Sequence, residues 1–182
     1  MGQLDLDQLE AGVDRVRDAP QADGILKLIV VRPAENEREQ LDAGKLDLEL
    51  GLVGDGWSAR PGPAGGPDPN AQVTIMGSRA AALVSGGDDH DGWAPAGDQL
   101  YVDMDLSHDN LPAGAQVGIG EAVLEVTAEP HLGCGKFSRR FGVDALKLVN
   151  SDQGRALRLR GLNARVVEPG AIAIGDRVRR LR

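Results

Sequence analysis

The sequence predicts a mostly β domain of α+β class, a barrel or sandwich with a few short helices. Three observations predict it. Glycine is abundant, at 25 of 182 residues, and 10 prolines punctuate the chain. Short aliphatic runs, several of them strictly alternating, follow one another at close intervals. Aromatic residues make up only 3% of the chain, so the core has to be assembled from Val, Leu, Ile and Ala.

The elements follow in order. Leu6, Leu9, Val13 and Val16 recur at helical spacing, with acidic residues early and Arg15 and Arg17 late, so residues 4–18 read as a short amphipathic helix. After a loop at 21–24, the run Gly24 to Val31 reads as a buried strand stopped by Arg32-Pro33. Residues 45–50 alternate strictly and predict a strand with one wet face, followed by a turn at 51–56. Residues 57–70 hold four prolines and three glycines and predict a long loop. Val73 to Met76 reads as a strand, and Ser78 to Val84 as a helix with Ser78 as its N-cap. A polar loop at 86–98 leads to strands at 100–106, 117–120 and 122–127. A helix is expected within 139–150, with Val143, Leu146 and Val149 on one face. Leu157 to Arg160 alternates like a strand, which places Arg158 and Arg160 on one side, and extended segments at 163–167, 172–174 and 176–178 close the chain.

Composition excludes several classes. With 41% hydrophobic and 26% charged residues the chain as a whole is globular rather than disordered. No apolar run approaches the roughly 20 residues of a membrane span, so no membrane partner is expected. The opening residues lack the basic and apolar regions of a signal peptide, and the cytoplasm is the expected compartment. The single cysteine, Cys134, rules out an intramolecular disulfide and a cysteine zinc cluster.

The net charge of −8 argues against a nucleic-acid partner. Yet charge is unevenly spread. Residues 136–182 hold 12 of the 20 Lys and Arg and 4 of the 28 Asp and Glu, a balance of +8, which leaves −16 on residues 1–135. The basic segment begins just after Cys134 with Lys136, Arg139 and Arg140. Nearby cations lower a thiol's pKa and attract anions. Gly133 and Gly135 flank the cysteine, so the backbone there can approach a ligand closely. Two readings stand side by side: a functional thiol, and a small buried hydrophobe within a basic surface that pairs with the acidic half.

Other chemistry is poorly supported. His90, His108 and His131 stand in no zinc-type spacing, and Gly118-Ile119-Gly120 is too short for a dinucleotide fingerprint. The acidic run Asp88-Asp89-His90-Asp91 lacks an EF-hand pattern and reads as a solvated loop. A Cys–His–Asn arrangement using Asn163 is formally allowed but has no local support.

From about residue 25 to 182 the chain resembles the MOSC domain family, named for the C-terminal part of molybdenum cofactor sulfurases. The resemblance rests on Val117 to Thr127, then Gly133-Cys134-Gly135-Lys136-Phe137 with Arg140-Phe141-Gly142, then 158–167 and Pro169 to Asp176. Upstream, Ile29 to Pro33 and Gly51 to Asp55 also fit. Residues 1–24 then form a helical lead-in and 25–182 the barrel domain.

The resemblance implies a MOSC-type β-barrel and a molybdenum–pterin cofactor, with Cys134 as metal ligand. It further implies an oxidoreductase that reduces N-hydroxylated small molecules, fed by a separate electron-donating reductase, since no flavin, haem or iron–sulfur motif is present. Lys136, Arg139, Arg140, Arg158, Arg160, Asn163 and Arg165 are candidates for holding the cofactor's phosphate and pterin. His131 is a candidate proton donor. The chain departs from the family in having Gly56-Trp57 after Gly54-Asp55, His131-Leu132-Gly133 before the cysteine, and 105–112 in place of an Asn-Thr-rich segment. The alternative is a sulfur-carrier or cofactor-transfer module, in which Cys134 holds a persulfide from a donor protein without turnover of its own. A third reading is a non-catalytic domain with a structural cysteine.

Overall fold

A computed structural model describes residues 3–62 and 64–181. In chain order the regular elements are α1 (Leu6–Ala11), α2 (Val13–Arg17), β1 (Asp23–Val31), β2 (Glu39–Leu41), β3 (Ala43–Asp47), β4 (Gly51–Leu52), β5 (Val73–Gly77), α3 (Ser78–Ser85), α4 (His90–Trp93) and β6 (Leu100–Asp103). There follow β7 (Gln116–Ile119), β8 (Ala122–Val126), α5 (Gly135–Phe141), α6 (Val143–Asn150), α7 (Asp152–Ala156), β9 (Leu162–Glu168), β10 (Gly170–Ala173) and β11 (Arg177–Arg180).

Seven strands run β11-β7-β8-β9-β5-β6-β1, and β1 pairs back onto β11, so the sheet closes into a barrel. The strand β1 is long enough to serve two neighbours on one edge. Its start pairs with β11 through Asp23 to Ile25, and its end pairs with β2 through Ile29 to Val31. Among the described residues only β5 and β6 run parallel, joined through α3 and α4, as a parallel pair requires a crossover. A small antiparallel sheet, β10-β3-β4, caps one side.

Two apolar cores result. Leu26, Ile29, Val31, Ile75, Leu100 and Val102 fill the barrel with residues from β7, β8 and β9. Leu28, Val30, Met76 and Tyr101 face outward and meet the helices through Leu9, Trp93, Phe137 and Phe141. This is why β1 reads as a continuous hydrophobic run rather than an alternating one, since both its faces are covered. A bulge at Lys27 resets the register between Leu26 and Leu28.

Several elements differ from the sequence expectation. The first helix is broken at Gly12, where a Cβ would lie 2.3 Å from Leu83 Cδ1. The strand expected over 45–50 ends at Asp47, because its side chain accepts the N–H groups of Glu49 and Leu50 and turns the chain. The N-cap of α3 is Gly77, and the buried Ser78 makes no capping bond. The helix expected within 139–150 is two helices with a bend at Gly142, and Val143 is exposed. The polar loop at 86–98 contains α4.

The largest correction concerns Leu157 to Arg160, which form a turn after α7 rather than a strand. The N–H of Leu159 reaches the carbonyl of Gly154, and Arg158 has φ +48. Alternation misleads here because both arginines turn inward. Each finds backbone carbonyls to bond, so both lie buried. No helix of the described residues is long and apolar enough to cross a membrane.

Candidate functional site around Cys134

Cys134 is the N-cap of α5 and its side chain is exposed. Asn150, at the end of α6, holds the segment before it. The Asn150 side-chain amide accepts from Gly133 N–H at 2.9 Å and donates to the Gly133 carbonyl at 3.0 Å. The two flanking glycines therefore differ in purpose. A Cβ at Gly133 would fall 2.8 Å from Leu146 Cδ1 and 2.9 Å from Val149 Cγ2, so that glycine is required for packing on α6. A Cβ at Gly135 would have only Arg139 Nη1 nearby, at 3.7 Å. Partial burial alone would raise the Cys134 pKa, but it is outweighed. Backbone N–H groups of Phe137 and Lys136, then the charges of Arg160 and Lys136, bring the thiol below its ordinary value.

The thiol opens into a cleft of about 600 Å³. Five arginines, Arg32, Arg38, Arg60, Arg140 and Arg160, line it with Lys136, against one acidic residue, Glu35. Glu35 is already paired with Lys136 at 2.9 Å, on the exposed rim. Positive charge thus outweighs negative at the lining. Burial, then the charges of Arg140 and Arg32, push the Arg38 guanidinium down, and burial and Arg32 do the same to Arg60.

Two buried carboxylates beneath the cleft fix its frame. Asp55 binds Arg32 through both oxygens, with Nε–Oδ2 2.7 Å and Nη2–Oδ1 2.9 Å, and also accepts the N–H of Arg32 and of Trp57. Arg32 Nη1 then donates to the Gly97 carbonyl at 2.8 Å. Asp98 takes Arg160 Nη1 at 2.5 Å, while Arg160 Nη2 donates to the Ala96 carbonyl and its guanidinium stacks over Phe137. Arg140 donates to the Pro95 carbonyl. Gly97, with φ +90, sits beside Arg38 and Arg140, and its left-handed backbone favours glycine.

The sequence-selected residues divide. Cys134, Lys136, Arg140 and Arg160 share the cleft. Arg139 is exposed on α5 and does not line it. Asn163, buried on β9, donates to the Glu129 carbonyl and lines an adjoining groove that shares Arg32 and Arg60 with the cleft. His131 faces the same groove, and its Nδ1 lies 3.5 Å from Asp98 Oδ1. Burial foremost, and Arg160 next, lower the His131 pKa to about 4. Arg165 pairs with Glu125 at 2.6 Å on the barrel surface, away from the cleft. Arg158 is buried in a different pocket. Among the described residues no cluster of three or more His, Cys, Asp or Glu is placed to hold a metal ion.

Sequence reasoning missed Arg32, Arg38, Arg60 and Asp98 as site residues. Arg32 and Asp55 had a signal, since Val31-Arg32-Pro33 and Gly54-Asp55 both belong to the family resemblance. Arg38, Arg60 and Asp98 lie in loops with no motif, and only the fold gathers them.

The MOSC domain family model matches residues 83–179, more than half of the chain. The chain belongs to the MOSC domain family. Its fold is similar to that of the YuaD protein from Bacillus subtilis, with a TM-score of 0.63 and 19% identity over 86% of this chain and 94% of that one. It is also similar to YiiM from Escherichia coli, with a TM-score of 0.56 and 21% identity over 87% of this chain and 70% of that one. For YiiM from Geobacillus stearothermophilus the values are 0.54 and 18%, over 87% and 75%. These likenesses establish the fold. A search of curated proteins finds no significant match.

The donor set fits the cofactor associated with this family. A thiol of lowered pKa suits a soft metal centre. The cleft's guanidiniums suit a phosphate and a polar ring system. Two of them carry buried Nε atoms, on Arg38 and Arg160, with no partner among the described residues.

Proposed function

We propose that the protein binds a molybdenum–pterin cofactor in the Cys134 cleft and reduces N-hydroxylated small molecules. The single observation that carries this reading is the exposed, acidified thiol in a cleft lined by six cationic side chains and one acid. The Cys134 thiolate is the metal ligand. Arg38, Arg60, Lys136 and Arg140 hold the anionic and polar parts, and the charges of Arg160 and Lys136 favour the thiolate. When bound, the cofactor would supply two-electron, oxygen-accepting redox chemistry. Overall, N–OH plus two electrons and two protons gives N–H and water. The electrons come from a separate reductase.

The chain's own residues position and exclude. Asn150 fixes the backbone on which Cys134 sits. Asp55 and Asp98 hold Arg32 and Arg160 rigid, so their charges need no reorganisation during the reaction. His131 enters as a neutral imidazole at pH 7, a hydrogen-bonding group beside Asp98 and Arg160 rather than a standing acid.

Elemental analysis tests the reading. Protein from a cofactor-competent host should carry near-stoichiometric molybdenum, and Cys134→Ser should carry almost none. Metal absent from both would overturn it. Exposure of the acidified thiol also suits the sulfur-carrier alternative, for which Cys134 would instead gain the mass of one sulfur atom.

A further inference from the structure

A second cavity, of about 430 Å³, is walled in part by the segment 129–132 and by Arg160, which also lines the thiol cleft. Its walls are largely apolar, with Ala113, Pro130, Leu132, Val149 and Leu162 among them. Set into these walls is Arg158, of which only 8% is exposed. Among the described residues no carboxylate lies within salt-bridge distance of its guanidinium, in contrast to Arg32 and Arg160. A buried, unpaired cation is costly, and proteins rarely retain one without a counter-ion. The backbone at Arg158 is also held in the left-handed region, at φ +48, which a non-glycine residue adopts at a cost.

The hydrogen bonds of Arg158 define what remains for a ligand. Its Nη1 donates to the carbonyls of Leu106 and Leu111, and its Nη2 donates to His108 Nδ1 at 3.2 Å. The Nε–H and one Nη2–H are left over. These are the two kinds of donor with which Arg32 grips both oxygens of Asp55. Since a guanidinium only donates, His108 Nδ1 accepts and its proton sits on Nε2, a further donor. Arg155 and Arg160 add two further cations to the lining. Glu129, exposed, is the one acid there.

We propose that this cavity is a binding site for a small amphipathic carboxylate, with its carboxylate on Arg158 and its apolar body against Leu132, Val149 and Leu162. The site shares Arg160 with the lining of the thiol cleft, but Arg158 and the apolar wall belong to it and not to the cleft, and the inference does not depend on the cofactor reading. A largely apolar lining with a few convergent polar and charged groups is the usual form of a small-molecule pocket.

Benzoate and its neutral isostere benzamide test it on the full chain, by isothermal titration and saturation-transfer NMR. Benzoate should bind saturably with a dissociation constant of about 1 mM or tighter, and benzamide at least about tenfold more weakly. Arg158→Gln should abolish the preference for benzoate. Because that variant removes a buried group and can fail to fold, Ala113→Trp gives an independent check. Ala113 is exposed at the cavity wall, so the indole should block the site while leaving the unfolding transition intact. Lys136→Ala in the thiol cleft should leave benzoate binding unchanged. No saturable benzoate binding, equal binding of benzamide, or weakening by Lys136→Ala with Ala113→Trp inert would each overturn the proposal.

Discussion

The Arg32 guanidinium and the Asp55 carboxylate meet side-on across the base of the thiol cleft, the arginine side chain 8% exposed and the aspartate 0%. Asp55 also caps the turn that begins at Gly56, through Trp57 N–H. One carboxylate thus joins the end of β1, the turn after β4 and, through Arg32, the Gly97 carbonyl.

Breaking that pair should be severe. Asp55→Ala leaves a buried guanidinium uncompensated, a change that typically costs about 3–5 kcal/mol. Urea unfolding measures it. A loss below about 1 kcal/mol would mean that Arg32 finds water or another acceptor. The double change Arg32→Met with Asp55→Leu should recover much of the loss, because it removes both charges together.

Thiol reactivity should follow the electrostatics of α5 and Arg160. The iodoacetamide rate of Cys134, followed against pH, should show its midpoint below that of an ordinary cysteine. Lys136→Met should move that midpoint upward, since it removes one of the two cations that lower it. An unshifted profile in both proteins would show that the cations do not reach the sulfur.

Burial of neutral His131 links stability to acid. Its pKa falls from 6.5 to about 4 in the folded protein, so between these values the unfolded chain binds more protons. Stability from this group is complete above about pH 6.5 and is lost progressively as pH falls toward 4, by about 3 kcal/mol in all. His131→Gln should flatten that part of the stability profile measured by chemical denaturation. An unchanged slope in the variant would assign the acid sensitivity to other groups.

Two glycines with similar backbones should tolerate alanine very differently. At Gly161, φ is +103 and a Cβ would lie 2.3 Å from the Ile75 carbonyl, inside the barrel wall. At Gly175, φ is +93 and nothing lies within 4 Å. Gly175→Ala should cost about 1 kcal/mol, from backbone strain alone. Gly161→Ala should cost well over twice that, because backbone rather than a flexible side-chain tip must move. Equal thermal shifts for the two would contradict this account.

The barrel was legible wherever hydrophobic pattern and turn chemistry agreed. The runs at 24–31 and 122–127 became β1 and β8 within about one residue, and the described residues of the Pro/Gly segment at 57–70 form no strand or α-helix. Legibility failed where a side chain competed with the backbone. Asp47 ended β3 early, and inward-turning arginines made a turn look like a strand. At the site, Cys134, Lys136 and Arg140 could be found because local sequence joins them on one short helix.

By itself the sequence determined the class of fold, the single thiol and the basic character of the segment that follows it, because these depend on composition and on neighbours along the chain. Tertiary structure decided which cations surround that thiol. Arg38 and Arg60 come from loops, and Arg160 from a turn, and the fold gathers them beside Arg32, just past the end of β1. It also decided which charges were neutralised, giving Arg32 and Arg160 their aspartates and leaving Arg158 without one. Ion pairing in a protein interior is set by three-dimensional proximity and desolvation, and neither is written in the spacing of residues along the chain.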